Sequence, residues 1–142
     1  MNQERDLQHL RLTQELLGYF QNEGYDILST KDSSLYPQPH PLVNDGFGDQ
    51  EDKTPDILAF DKVKNRYAVG LIITEDEDIE SEELLTKYNV FLDQRDHTTG
   101  NDYLLVILAP SSRLNDLTRL LTHYIHREYW HRLIIISSGK LS

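Results

Sequence analysis

The most constraining feature of this sequence is a pair of short apolar segments joined by a charged link. The first segment covers residues 54–60, the second covers residues 67–74, and Asp-Lys-Val-Lys-Asn-Arg lies between them. Both segments are rich in β-branched and aromatic residues and the link has the composition of a turn, so the pair predicts a β-hairpin. The second segment carries no charge from Tyr67 to Thr74. A strand without polar alternation is typical of the centre of a sheet that helices cover on both faces.

The length and composition favour one globular domain. The chain has 142 residues, of which 38% are hydrophobic and 27% are charged, and both fractions are typical of such domains. No apolar run approaches the roughly 20 residues that span a bilayer, and the N-terminus lacks the apolar core of a signal peptide. We therefore expect no membrane association and a cytoplasmic location. The absence of cysteine excludes disulfides, thiolate zinc sites and cysteine nucleophiles.

The charge balance bears on the partners of the chain. Fourteen basic residues stand against 24 acidic residues, and the net charge is -10. Proteins bind nucleic acid mainly by neutralising phosphates with Lys and Arg, so this charge disfavours a nucleic-acid partner. The distribution is uneven, because residues 111–142 contain five basic residues and only two acidic ones. A local basic patch near the C-terminus therefore keeps nucleic-acid binding possible.

The remaining elements are predicted from apolar periodicity and from turn residues. A helix is expected over about 2–23, a strand over 25–30, and an irregular segment with alternating prolines over 31–53. After the hairpin, a helix follows the acidic run 75–83. A strand over 103–109, a helix from Ser111 or Ser112 to about Trp130, and a strand over 133–136 complete the chain. Strand–helix–strand units imply parallel neighbours, so the sequence predicts a single α/β domain with a mixed central sheet between helices.

This order of elements, with Pro55-Asp56 opening the first hairpin strand, resembles the PD-(D/E)xK nuclease superfamily, also called restriction-endonuclease-like. The resemblance implies that fold over residues 1–142, in the order αβββαβαβ. For active members it implies that Asp56 and an acid-x-Lys sequence on the second hairpin strand hold Mg²⁺, while the lysine helps to activate water. It also implies an acid from the N-terminal helix, for which Glu15 is the candidate.

The second hairpin strand departs from the nuclease pattern at both chemical positions. Gly70 stands where the second acid belongs, and Ile72 stands where the lysine belongs. Because side chains alternate along a strand, Gly70, Ile72 and Thr74 share one face, and the Thr74 hydroxyl is its single polar group. A hard divalent cation prefers several oxygen ligands. We therefore expect a nuclease fold without the nuclease site, and no cofactor.

Two alternatives remain open on the same residues. In the first, Asp56 joins Glu15 or Glu75 in a rearranged Mg²⁺ or Mn²⁺ site, and the chain is a metal-dependent nuclease. In the second, the basic C-terminal segment binds nucleic acid without chemistry. Both acids also have a structural interpretation. Asp56 would lie at the start of a strand and hydrogen-bond to a turn, and Glu15 would be an exposed carboxylate on a helix.

Two further clusters have a structural interpretation. The acidic run 75–83 holds seven carboxylates in nine residues, but it lacks the spacing of a calcium-binding loop and suits the start of a helix. His123 and His126 lie one helical turn apart, and no third metal ligand follows at helical spacing. We interpret these histidines as structural or surface residues.

Aromatic and basic side chains of the kind enriched at protein interfaces gather near the C-terminus. They are Tyr124, Arg127, Trp130 and Arg132. This segment is the best candidate for a contact surface, and we expect a protein partner or self-association. The leading prediction is a non-catalytic domain with a protein-interaction or structural role.

Overall fold

The computed structural model describes residues 3–31, 33–42 and 53–138. Its helices and strands follow the predicted order αβββαβαβ, with one 3₁₀ helix before the last strand. The elements are α1 (Gln3–Asn22), β1 (Asp26–Thr30), β2 (Ile57–Asp61), β3 (Arg66–Ile72), α2 (Glu82–Leu92), β4 (Leu104–Ala109), α3 (Ser111–Tyr124), the 3₁₀ helix (Arg127–Arg132) and β5 (Leu133–Ser137). The prediction of a single α/β domain is confirmed.

The five strands form one mixed sheet in the order β1-β2-β3-β4-β5. β1, β2 and β3 are antiparallel neighbours, so the predicted hairpin is present. β3, β4 and β5 are parallel neighbours. Each parallel pair is connected through a helix, first α2 and then α3, because parallel strands cannot be joined by a tight turn.

The central strand β3 is buried on both faces, as its uniform apolar character predicts. On one face, α1 packs Leu12, Leu16 and Phe20 against the sheet. On the other face, Val69 and Leu71 of β3 pack into a core that α2 and α3 cover. The sheet is therefore enclosed between one helix on one side and two helices on the other, which fixes the position of α1 over the hairpin.

The third helix is shorter than the sequence predicts. It ends at Tyr124, because Ile125 adopts an extended conformation with a φ of -93° and a ψ of 132°. His126 then caps the N-terminus of the 3₁₀ helix, and its side chain accepts a hydrogen bond from the backbone N of Glu128. Tyr124, the last residue of α3, is 41% exposed. A local side-chain cap thus divides a segment that the apolar periodicity presented as continuous.

The proline-rich segment predicted over 31–53 lies only partly among the described residues, and its residues 32 and 43–52 are outside them. The described residues 33–42 form no helix and no extended strand. They stay close to the sheet, since the backbone N of Thr30 donates to the carbonyl of Pro37 at 3.0 Å and Leu42 pairs with Lys53. In the part of the chain that the structure describes, no helix is both long enough and apolar enough to traverse a bilayer.

Candidate functional site

Asp56, which the resemblance aligns with the first nuclease acid, is buried and forms hydrogen bonds to three elements. Its side chain is 4% exposed. The Oδ2 atom accepts a hydrogen bond from the backbone N of Ile72 at 2.8 Å, and Oδ1 lies 3.1 Å from His9 Nε2. Its backbone N donates to the carbonyl of Gly70 at 3.0 Å, and its carbonyl accepts from Lys31 at 2.8 Å. Asp56 thus connects α1, β3 and the end of β1.

His9 is the residue of this junction that sequence reasoning missed. It lies on α1 with a side chain that is 23% exposed. Its Nδ1 is 3.4 Å from the Thr13 hydroxyl, which itself donates to the His9 carbonyl at 2.7 Å. The signal was present, because His9 precedes Leu12 and Leu16 by three and seven residues and so shares their inward face. No local pattern in the sequence predicted that this face lies over Asp56.

Gly70 lies directly beneath α1, where the nuclease pattern requires an acid. A Cβ atom at Gly70 would lie 2.9 Å from Leu16 Cδ2 and 3.1 Å from both Ile57 Cβ and Phe20 Cε2. Such separations are shorter than van der Waals contact, so the space for a side chain is already filled by apolar groups. Ile72, at the lysine position, belongs to the same apolar cluster. This face of the hairpin is therefore core.

The two acids considered for a rearranged metal site, Glu15 and Glu75, each contact residues other than Asp56. Glu15 Oε1 accepts a hydrogen bond from the Ser138 hydroxyl at 3.1 Å, beyond the end of β5. The backbone N of Glu75 donates to Gln8 Oε1 at 2.8 Å, and Glu75 Oε1 accepts from Ser112 at 3.1 Å. Over residues 3–31, 33–42 and 53–138, no group of three or more His, Asp or Glu side chains is arranged to hold a metal ion.

Thr74, predicted to be the polar group of the site face, is fully buried and closes a turn. Its backbone N donates to Glu77 Oε1 at 2.8 Å, and its hydroxyl donates to the same atom at 3.0 Å. The hydroxyl also lies 3.2 Å from Asp76 Oδ1. These bonds fix the chain as it leaves β3, so the polar group serves the local backbone.

The acidic run 75–83 has two further contacts that tie it to the fold. The first is an ion pair in which Lys53 Nζ donates to Glu83 Oε2 at 2.8 Å. This hydrogen bond holds the pKa of the Glu83 carboxyl below its usual value. The second is Tyr88, whose hydroxyl donates to the carbonyl of Ile79 at 3.1 Å. Burial raises the pKa of Tyr88 well above the ordinary tyrosine value, and the charges of Glu77 and Asp78 raise it further.

A cavity of about 610 Å³ lies between the turn 78–80 and α3. Asp78, Glu80 and Asp116 contribute negative charge to its wall, while Arg113 and Arg119 contribute positive charge. His123, considered above as a zinc ligand, also lines it. The wall of the cavity therefore carries both signs of charge, interspersed.

The C-terminal candidate surface is divided between exposed and buried residues. Trp130 is 39% exposed, and its indole N donates to the Ile125 carbonyl at 3.1 Å. Tyr124 and Arg127 are exposed as well. Arg132 is buried, because Nη1 lies 3.2 Å from Asp102 Oδ1 and the guanidinium lies 4.5 Å from the ring centre of Tyr129. The accessible part of this surface is therefore Tyr124, Arg127 and Trp130.

Comparisons with protein-family models, with curated proteins and with solved structures found no match for this chain. The resemblance to the PD-(D/E)xK superfamily stays a prediction that depends on the element order and on the residues of the hairpin.

Proposed function

We propose that this chain is a restriction-endonuclease-like domain that carries no nuclease chemistry and acts through contacts with protein. The element order and the mixed sheet match what the resemblance to the PD-(D/E)xK superfamily implies. By this resemblance, Asp56, immediately before β2, corresponds to the first acid. Where the resemblance implies metal binding, Asp56 makes hydrogen bonds within the protein and Gly70 is packed against apolar side chains.

The close approach of α1 to Gly70 carries this proposal. A metal-dependent nuclease needs the second acid to project from this point of β3 toward the first acid. Here Leu16, Phe20 and Ile57 fill the volume that such a side chain would occupy. Because protein interiors are close-packed, an acid at residue 70 would require α1 to move away from the sheet. The absence of an acid at residue 70 is therefore coupled to the packing of the whole helix α1 against the sheet.

The environment of Asp56 supports the same conclusion. Its two carboxylate oxygens are directed at the backbone N of Ile72 and at the His9 ring. A metal ion would have to compete with these groups for a carboxylate that is almost fully buried. The arrangement suits a carboxylate that holds the start of β2 in place, since a buried acid is stabilised chiefly by hydrogen bonds to its oxygens.

The protein-contact role is supported by the surface around the end of α3. Tyr124, Arg127 and Trp130 combine aromatic area with a positive charge, and this composition is enriched at protein interfaces. The surface is less acidic than the rest of the chain, so an acidic partner segment is a suitable ligand.

The deciding experiment is a Mn²⁺ titration of the isotopically labelled protein, followed by NMR line broadening. We expect broadening near the exposed carboxylates of 75–83 and none centred on Asp56 and the Ile72 amide. The Asp56→Asn variant should show the same pattern as the wild type, and so should Asp61→Asn as a control. Broadening at Asp56 and His9 that disappears only in Asp56→Asn would establish a metal site and overturn the proposed role.

A binding assay separates the third function class from the proposed one. Nucleic-acid binding through Arg127 and its neighbours would appear at low salt and weaken steeply as salt is added. We expect no binding of single- or double-stranded DNA or RNA even at low salt. Binding that is lost in Arg127→Ala would replace the protein-contact role with a nucleic-acid role.

A further inference from the structure

The cavity between the turn 78–80 and α3 forms a groove along the helix, the α3 groove. On α3 it is lined by Arg113, Asp116, Leu120 and His123, which recur every three or four residues and so form one stripe. From residue 113 to residue 123 this stripe is about 15 Å long, because a helix rises about 1.5 Å per residue. The volume of about 610 Å³ lies within the roughly 300–1,000 Å³ that is typical of ligand sites. The groove therefore has the size of a binding site.

Two hydrogen bonds hold the walls of the α3 groove in place. The buried Tyr88 hydroxyl donates to the carbonyl of Ile79 at 3.1 Å, which fixes the turn. Arg113 Nη2 donates to the carbonyl of Glu77 at 3.3 Å, which joins the start of α3 to the same turn. A preformed site loses little conformational freedom when a ligand binds. The shape of the groove is therefore set before binding.

The charged side chains of the α3 groove do not pair with one another. Its carboxylates belong to Asp78, Glu80 and Asp116, and its guanidinium groups belong to Arg113 and Arg119. The ion pairs found among the described residues lie elsewhere, and none of them includes these five side chains. A ligand with one sign of charge would be attracted by one set and repelled by the other. A ligand with both signs is complementary to the whole groove.

The apolar part of the α3 groove favours a peptide over a small zwitterion. Ile79 and Leu120 both line the groove, so an apolar side chain between two charged ones would find apolar area to cover. An extended chain rises about 3.3 Å per residue, so about five residues match the length of the stripe. A free amino acid would leave most of that length empty.

We propose that the α3 groove binds an extended segment of a partner protein with the pattern acid-x-apolar-x-base, read in either direction. Alternate side chains of an extended chain point the same way, so all three face the groove. The acid pairs with Arg119, whose planar guanidinium suits a carboxylate. The apolar side chain covers Leu120. The base pairs with Asp78, on the turn that Arg113 joins to the start of α3.

This inference deepens the proposed protein-contact role and rests on it. His123 ends the stripe and is followed directly by Tyr124 of the exposed surface, so one partner could contact both along α3. The two proposals can fail separately. Metal binding at Asp56 would contradict the absence of nuclease chemistry and leave the groove untouched. A peptide that contacts Tyr124 and Trp130 but not the groove would exclude the groove alone.

The test on the wild-type protein is an NMR titration with capped synthetic peptides. The probes are acetyl-Glu-Ala-Leu-Ala-Lys-amide and the same peptide in reverse order. We expect one of them to shift the amide signals of residues 78–80 and 113–123 in a saturable manner. A version with lysine at both ends should not shift them, because Arg119 repels it. If neither mixed peptide shifts these signals at millimolar concentration, or if shifts are confined to Tyr124 and Trp130, the proposal is wrong.

Matched charge reversals test which residue receives the acid. Arg119→Glu should weaken binding of the mixed peptide about fivefold or more, because an attraction becomes a repulsion. The same variant should now bind the peptide with two lysines. Lys64→Glu makes an equal change of charge in the exposed turn of the hairpin and should leave both affinities unchanged. Equal effects of the two variants would assign the binding to net charge and exclude the groove.

Discussion

The imidazole of His9 and the carboxylate of Asp56 lie within 3.1 Å of each other although 47 residues separate them in the chain. This contact fixes α1 over the start of β2, at the point where the nuclease pattern would assemble a metal site. The same carboxylate accepts the Ile72 amide proton on its other oxygen. A residue that resembles a catalytic acid by sequence is thus a structural acceptor for two elements.

Asp56→Asn should destabilise the fold by about 1–3 kcal/mol, because one of the two groups at the carboxylate would lose its acceptor and face an amide N–H instead. Chemical denaturation measures the free energy of unfolding. Asp61→Asn is the matched control, since Asp61 Oδ1 accepts from the exposed backbone N atoms of Val63 and Lys64, and an asparagine keeps that acceptor oxygen. The control should change stability by less than about 0.5 kcal/mol. Equal effects in both variants would argue against a special role for Asp56.

Gly70→Ala and Gly18→Ala should change stability in opposite directions. At Gly70 the new methyl group meets Leu16, Phe20 and Ile57, and overpacking of a core typically costs about 1–3 kcal/mol. At Gly18, within α1, the added carbon would meet no described atom within 4 Å other than the nearby backbone of the helix itself. That substitution should stabilise the protein by about 0.5–1 kcal/mol through the higher helix propensity of alanine. Thermal and urea unfolding report both values, and a neutral Gly70→Ala would contradict the filled space.

The ion pair between Lys53 and Glu83 should contribute to stability only above acidic pH. The pKa of Glu83 is lower in the folded state than in the unfolded state. Its contribution is therefore present above the unfolded value, near 4.3, and is lost as the pH falls through the folded value. Because Glu83 is 61% exposed, solvent screening limits the contribution to roughly 0.2–1 kcal/mol.

The measurement for this pair is the free energy of unfolding against pH for the wild type and for Glu83→Gln. The two curves should differ at neutral pH and converge in acid. Glu82→Gln is the control, because Glu82 occupies the same first turn of α2 and experiences the same helix dipole. A Glu82→Gln curve with the same loss as Glu83→Gln would assign the effect to the helix dipole rather than to Lys53.

Tyr88→Phe should cost about 1 kcal/mol at neutral pH, because the buried carbonyl of Ile79 loses its donor. The folded-state pKa of Tyr88 is raised, so its contribution is fully present below the unfolded value of about 10 and is lost as the pH rises toward the folded value. The variant should therefore lose less stability than the wild type on going from neutral to alkaline pH. Tyr36→Phe, at a hydroxyl that accepts only an exposed bond from Gln21, should follow the wild-type profile.

The sequence by itself determined the order of elements, the hairpin, the burial of β3 and the absence of an acid and a lysine at residues 70 and 72. These follow from local composition and from the two periodicities of apolar residues. Apolar periodicity did not determine where α3 ends, because a His126 side-chain bond interrupts a pattern that continues on either side of it. It also did not separate Arg132, which is buried, from the exposed Arg127.

Only the tertiary structure decided which distant residues meet. In the fold His9 contacts Asp56, Glu15 contacts Ser138 and Glu75 contacts Gln8. Helix α1 also lies so close to β3 that Gly70 has no space for a side chain. The tertiary structure also left β5 at the edge of the sheet. Such pairings depend on the crossing of α1 over the sheet and on strand order, which arise from the packing of the whole core and which no local segment encodes.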